Sequence, residues 1–372
     1  MKKMIKMSLV AAVAVAGLSS TASAVSLEES IKGVDISGMV RYRFTDSKTE
    51  DVAGSGAQEN DYDIEVTAKV PVNDMVKAVV KVDVDGDLRA DKNYSEDDHG
   101  NMVAGEPADA KPSVNIQHAY FQYENDGIVL NAGKQALPGP LTDGLNGTAV
   151  VAMAPVGPVT VAGAIMNASA LDDAAGYEDI YAVAAMGSFS GVDAQLWYAD
   201  VADTASAFSV GVEGEAGPAA FFVSYAKKDT EDKSDDDKYS TFKVGGEFAV
   251  DMFTVNAGYA MTGEEGSGEL SDGNDAAVND FGGEIYDIAQ ADYKLIALGA
   301  GMSPADNVDA GLELYMGTYE NDDKTTEVVA RVAYKMSKNF KISSYYAHAK
   351  LDYDAGGDQK DNKGRVEVKY SF

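Results

Sequence analysis

The most constraining feature of this sequence is an alternation of apolar and polar residues, which recurs in segments of about ten residues. In residues 35–44, DISGMVRYRF, Val40, Tyr42 and Phe44 alternate with Arg41 and Arg43. Successive side chains of a β-strand point to opposite faces, so a period of two indicates a strand with one apolar and one polar face. The closing residues, GRVEVKYSF, repeat the same pattern.

This pattern predicts eighteen strands along the chain. Three of them, 148–154, 179–189 and 291–302, are apolar on both faces and are the weakest predictions. The strands are predicted at residues 35–44, 60–70, 75–85, 114–124, 128–134, 148–154, 158–166, 179–189, 192–200, 205–215, 218–227, 238–250, 252–261, 291–302, 307–317, 325–335, 339–351 and 363–372.

The connections between these strands alternate between short turns and long polar segments. Residues 71–74 form a predicted turn, whereas 86–113, 135–147 and 262–290 are long, and residues 201–204 are the one exception. Turns at one end and loops at the other are typical of outer-membrane barrels, whereas a soluble sandwich has no reason to sort its loops by length. The expected fold is therefore an all-β, antiparallel transmembrane barrel of about eighteen strands, with its apolar face to lipid and a water-filled lumen.

The N-terminal residues predict export. Residues 1–24 combine three lysines, the apolar segment 9–18 and the small residues Ala22, Ser23 and Ala24, which together predict a secretory signal peptide. We therefore expect one barrel domain over residues 25–372. Beyond the signal no apolar run reaches about 18 residues, so no transmembrane helix is predicted.

Composition excludes several classes of function. The net charge is −31, and removing the three lysines of the signal would leave −34, so nucleic acid is not an expected partner. Cys is absent, so disulfides do not hold this exported chain together. No histidine has the spacing of a catalytic site, and no enzyme activity or cofactor is predicted.

Charged and aromatic residues suggest how the two faces of the barrel are used. One hypothesis is a basic wall opposite an acidic loop, giving a transverse field across the pore; the alternative is that these cations simply pair with neighbouring carboxylates such as Asp63 and Glu65. The pore-lining candidates are Arg41, Arg43, Lys77, Lys81, Arg331 and Arg365. Candidate membrane-belt aromatics are Phe44, Tyr62, Tyr123, Phe248, Tyr334, Phe340 and Phe372.

Particular stretches resemble a known family. LEESIKGVDISGMVRYRF (27–44), GKQ (133–135), TDGLNGTAVV (142–151) and the aromatic-ended last strand resemble the major outer-membrane porins of campylobacter-type bacteria. The resemblance implies a trimeric, eighteen-stranded porin for small hydrophilic solutes, whose third long loop, here 135–147, folds into the barrel. It implies that Asp143 is an acid of the constriction, which makes Asp143 a candidate ligand of a structural divalent cation such as calcium.

The expected function is a general diffusion porin of a Gram-negative outer membrane, mildly selective for cations because the loops are acidic. Its partners would be membrane lipid, lipopolysaccharide and other copies of the chain. Two alternatives stay open, a substrate-specific channel and an adhesin or enzyme built on a barrel.

Overall fold

A computed structural model describes most of the chain after residue 32. The described residues are 33–52, 55–91, 94–96, 102–104, 108–109, 113–142, 146–169, 179–230, 239–270, 283–285, 291–354 and 356–372. The signal peptide predicted for residues 1–24 lies outside them, as does Asp143.

Eighteen long strands form the architecture, one at each predicted position. They are β1 Asp35–Thr49, β2 Ala57–Pro71, β3 Val76–Asp91, β4 Ser113–Asn125, β5 Ile128–Ala136, β6 Asn146–Val156, β7 Val159–Ser169, β8 Ile180–Phe189, β9 Val192–Val201, β10 Ala205–Ala216, β11 Ala219–Thr230, β12 Tyr239–Val250, β13 Phe253–Thr262, β14 Lys294–Ala305, β15 Val308–Thr318, β16 Lys324–Lys335, β17 Phe340–Asp352 and β18 Asp358–Ser371. Between β3 and β4, Tyr94–Glu96 pairs with Met102–Ala104, and Ala108–Asp109 pairs with β3.

The strands close into a barrel. Each pairs antiparallel with its neighbours in sequence, and β1 pairs with both β2 and β18, so that Arg43 lies opposite Asp61 on one side and Glu367 on the other. Beyond the last strand, the amide N of Phe372 donates to the carbonyl O of Gly38 at 3.0 Å. The predicted closed, antiparallel, eighteen-stranded barrel is confirmed. Closure leaves none of the long strands as an unpaired edge, which is the condition for a sheet to cross a membrane.

The strands keep the two faces that the sequence predicts. In β16, Val328 and Val332 on the outer face are 39% and 48% exposed, whereas Glu327 and Val329 on the inner face are 1% and 0% exposed. Exposed apolar side chains of this kind continue around the outside of the barrel, for example Val183. A continuous apolar exterior is what a hydrocarbon environment requires of a barrel.

The candidate belt aromatics all lie on this outer face, although not all at strand ends. Phe44 and Tyr62 lie five residues inside the loop ends of β1 and β2, because both strands extend further than their alternation predicted. The others lie at the turn ends of their strands, and these are Tyr123, Phe248, Tyr334, Phe340 and Phe372.

Connections differ at the two ends of the barrel. The β4–β5 turn consists of Asp126 and Gly127, whose φ angles of 51° and 78° give the left-handed pair that a tight hairpin turn requires. The opposite end carries the long loops, except residues 202–204 between β9 and β10, as predicted. Among the described residues, no helix is both long and apolar enough to span a membrane.

Candidate functional site

The inner faces of β1 to β4 carry ion pairs between strands. Arg41 Nη2 lies 2.6 Å from Asp63 Oδ2, and Arg43 Nε lies 3.3 Å from Asp61 Oδ2, both across the β1–β2 pair. These arginines share the inner face with Met39 and Thr45, opposite in direction to the lipid-facing side chains. Two of the predicted pore-lining residues are thus locally neutralised.

Two lysines of β3 are paired in the same way. Lys81 Nζ lies 3.0 Å from Glu65 Oε1 on β2, and Lys77 Nζ lies 3.5 Å from Glu124 Oε2 on β4. Asp63 and Glu65 therefore act as the neighbouring partners that the alternative interpretation of the basic residues expects. Each of these four basic residues thus pairs with a carboxylate on an adjacent strand.

A second cluster of cations lies on β15 to β18. Arg331 Nε lies 2.6 Å from Glu313 Oε2, and its Nη1 pairs with Glu284, which belongs to the loop between β13 and β14. Arg365 Nε donates to Thr45 Oγ1 at 3.0 Å. The guanidinium carbons of Arg331 and Arg365 lie 5.3 and 5.5 Å from the centre of the Tyr345 ring, within cation–π range.

The loop segment 283–285 is anchored to this wall by backbone as well as side chain. Glu327, almost fully buried, accepts hydrogen bonds from the amide N of Glu284 at 2.6 Å and of Ile285 at 3.2 Å. Lys363 Nζ donates to the carbonyl O of Glu284 at 2.7 Å. Burial raises the pKa of the Glu284 carboxyl, but the charge and hydrogen bond of Arg331 outweigh this effect, so the pKa lies below its ordinary value.

One acid that contacts the basic residues of the wall, Glu284, was not predicted. Sequence reasoning placed an acid of loop 135–147, Asp143, at the constriction; Asp143 lies outside the described residues, and Glu284 of another loop contacts Arg331. Only the length of segment 262–290 could have drawn attention to it.

Loop 135–147 nevertheless packs inside the barrel over its described residues. Leu137 and Leu141 are buried against inner-face side chains of β6 to β11. Gly139, with a φ of +102°, lies so close to Trp197 that a Cβ would come within 2.6 Å of the indole ring. The amide N of Leu270 donates to the carbonyl O of Leu141 at 2.9 Å, so the two loops meet. Part of loop 135–147 thus lies inside the barrel as predicted, and part of the loop between β13 and β14 meets it there.

These loops explain why some strands lack a polar face. The inner residues of β8, including Ala184 and Met186, are buried beneath Leu141 and Leu270. In β14, Leu295 is 1% exposed in a cluster with Tyr293 and Phe222. Where Leu141 and Leu270 cover the wall, the inner face is apolar. Where segment 283–285 contacts the wall, the inner face is polar and includes Glu327 and Arg331.

Comparisons with known proteins agree with this architecture. The sequence model of the family described as Campylobacter major outer membrane protein matches residues 1–175 and 161–370. No curated protein matches the sequence.

Solved structures with a similar fold are outer-membrane channels. A BenF-like porin from Pseudomonas fluorescens Pf-5 superposes with a TM-score of 0.71 at 13% identity, covering 92% of this chain and 99% of that one. OccAB4 of Acinetobacter baumannii gives 0.68 at 12% identity, covering 91% and 98%. OccK1 (OpdK) of Pseudomonas aeruginosa gives 0.68 at 10% identity, covering 92% and 99%. At such identities the likeness is one of fold.

Proposed function

The chain belongs to the Campylobacter major outer membrane protein family and is a channel of the Gram-negative outer membrane, and we propose that it is a general diffusion porin. It passes small hydrophilic solutes and ions through the lumen described above, with a mild preference for cations. It assembles as a homotrimer among lipid and lipopolysaccharide. The proposal also includes a structural divalent cation that binds to the protein with Asp143 among its ligands.

The observation that supports general diffusion is the pairing of the lumenal cations. Arg41, Arg43 and Arg331 each contact a carboxylate, so they do not form an open track of positive charge for one anionic substrate. With these cations neutralised and a net charge of −31, the field at the mouth is set by excess carboxylate, which favours cations.

A substrate-specific channel is the second candidate, and Arg365 favours it. Within the described part of the chain Arg365 makes no ion pair; it contacts Thr45 and the Tyr345 ring instead. Such a guanidinium can receive the carboxylate of a passing solute. One structure of similar fold is described as Pseudomonas aeruginosa OpdK with vanillate, so a barrel of this shape can hold such a molecule.

Recordings from the full-length protein in planar bilayers test the proposal. An open water-filled barrel gives discrete current steps as single channels insert. For a general porin with an acidic mouth, organic carboxylates reduce the current no more than uncharged sugars of equal size. A closed lumen contradicts a porin.

The matched pair Arg365→Gln and Lys77→Gln separates the two candidates. If the channel is substrate-specific through Arg365, an organic carboxylate blocks the unmodified channel at low concentration, and Arg365→Gln alone removes the block. Equal behaviour of both variants and the unmodified channel supports general diffusion. Lys77 is a suitable control because it is an inner-face cation of the same charge whose partner is Glu124.

A further inference from the structure

Three carboxylates meet on the inner faces of β2 and β3. Asp63 lies directly opposite Asp85 in the β2–β3 register, and Asp83 lies two residues before Asp85 on the same face. One carboxylate oxygen from each of the three lies within 4.8 Å of the others. We name Asp63, Asp83 and Asp85 the aspartate triad.

Two members of the triad have buried oxygens without a partner. Asp83 is 5% exposed and Asp63 is 7% exposed, and within the described part of the chain the Oδ1 atom of each makes no hydrogen bond. A buried carboxylate oxygen without a hydrogen bond or counter-charge is strongly destabilising. Two such oxygens in one cluster therefore point to a group that binds between them.

Among the described residues, the contacts of the triad supply one positive charge. Asp63 Oδ2 pairs with Arg41, whereas Asp83 Oδ2 accepts a hydrogen bond of 2.7 Å from the neutral Gln117. Asp85 Oδ2 has contacts of 3.4 and 3.5 Å with Ser113 and Asn115. Against three carboxylates, one guanidinium leaves two negative charges.

A lysine on the same face of β3 does not change this balance. Lys81, which lies on the same face of β3 two residues before Asp83, pairs with Glu65 at 3.0 Å. The charge that the triad lacks is that of one divalent cation.

We propose that the aspartate triad binds one hard divalent cation, with calcium preferred. Calcium takes six to eight oxygen ligands at about 2.3–2.6 Å, so two ligands of one ion lie at most about 5 Å apart, which the triad satisfies. Gln117 and Asn115 can turn their amide oxygens toward the ion, since the oxygen and nitrogen of an amide exchange places by a simple flip. This site is on the barrel wall and uses none of the residues of loop 135–147.

Calcium at this position has two consequences. It ties β2 to β3 by ligands from both strands, which stabilises the folded barrel in proportion to calcium concentration. It also removes two negative charges from the lumen wall, so calcium lowers the preference for cations.

The test uses the full-length protein folded in detergent and stripped with a chelator. CaCl2 is titrated by calorimetry into the unmodified protein, Asp83→Asn, Asp85→Asn and Asp61→Asn. Asp61→Asn is the matched control, because Asp61 is an inner-face aspartate of β2 that pairs with Arg43. All four proteins carry Asp143→Asn, which removes the other candidate calcium ligand; in this experiment the unmodified protein is the one with no further substitution.

Calcium binds with one site per chain to the unmodified triad and to the Asp61→Asn control. Each triad variant weakens this binding by about tenfold or more, as expected for loss of a metal ligand. Equal calcium affinity in triad variants and control, or no calcium binding to any of them, overturns the proposal.

Thermal unfolding distinguishes the ion from a shared proton. With calcium at the triad, CaCl2 raises the Tm of the unmodified protein and of Asp61→Asn clearly more than that of Asp83→Asn at the same concentration. If Asp63 and Asp83 share a proton instead, CaCl2 changes no Tm, and the proposal fails. Asp85 is exposed, so Asp85→Asn keeps the test available if Asp83→Asn does not fold.

Discussion

At the residue scale, the last strand shows how neighbouring side chains meet different solvents. On β18, Val366 and Tyr370 are 44% and 43% exposed on the outer face. Glu367, between Val366 and Val368, lies on the inner face in register with Arg43 of β1. Whether a β18 side chain faces lipid or the lumen thus depends on whether its residue number is even or odd.

Val368→Arg tests this assignment of faces. Val368 lies halfway along the apolar outer residues of β18, between Gly364 and Phe372, so we expect it near the middle of the membrane. An arginine there costs about 2–4 kcal/mol of folding free energy. Equilibrium unfolding by urea from phospholipid vesicles measures this loss.

Ser343→Arg is the matched control on the inner face. Ser343 of β17 is in register with Glu367, so a guanidinium there gains a counter-charge in the lumen. Its folding free energy should change by less than about 1 kcal/mol. Equal losses for both variants would show that the two faces are wrongly assigned.

At the scale of elements, alternation was enough to predict the strands. All eighteen long strands lie at predicted positions, and most of these positions follow from the period of two, because in a barrel each side chain faces either lipid or the interior. Three strands without alternation have a structural explanation. They are apolar on both faces because parts of two loops cover their inner sides, and they correspond to residues 148–154, 179–189 and 291–302.

The partners within the site could be predicted only in part. Arg41 and Asp63 belong to strands predicted as neighbours, so their contact follows from register. The contact of Arg331 with Glu284 does not follow, because no periodicity governs where a long loop packs. The aspartate triad could be predicted in part. Alternation places its three members on the inner face, but only the structure shows that Asp63 and Asp83 are buried, unlike most acidic residues in the described part of the chain.

The anchor of segment 283–285 depends on the charge of Glu284. The pKa of Glu284 is lowered in the folded barrel. The ion pair with Arg331 is therefore fully formed at pH values above the ordinary carboxyl pKa, and it is lost as the pH falls through the lowered pKa. Glu284→Gln removes the charge at every pH and weakens the anchor by about 1.5–3 kcal/mol. We expect more frequent current fluctuations in this variant at neutral pH, and in the unmodified channel only in acid.

Single-channel recordings from neutral to acidic pH measure both effects. Glu124→Gln is the control, since Glu124 pairs with Lys77 at 3.5 Å on the wall and makes no ion pair with the described residues of either infolded loop. The anchor is refuted if Glu284→Gln and Glu124→Gln fluctuate equally at neutral pH.

At the scale of the whole molecule, two charge distributions are superimposed. The lumen wall carries arginines and lysines held close to carboxylates, as for Arg41 and Arg331, and such pairs produce only a short-range field. The chain as a whole carries −31, with many of its acids in the long loops at one end. Selectivity should therefore come mainly from the mouth, where charges are exposed to salt.

This origin predicts that cation preference depends strongly on salt. The screening length falls from about 10 Å at 0.1 M to about 3 Å at 1 M, so an exposed acidic mouth loses most of its influence over that range. Reversal potentials in a roughly tenfold KCl gradient should show cation preference near 0.1 M and little near 1 M. Selectivity that persists at high salt would place its origin at paired charges in the narrow lumen, and anion preference at low salt would refute cation selectivity altogether.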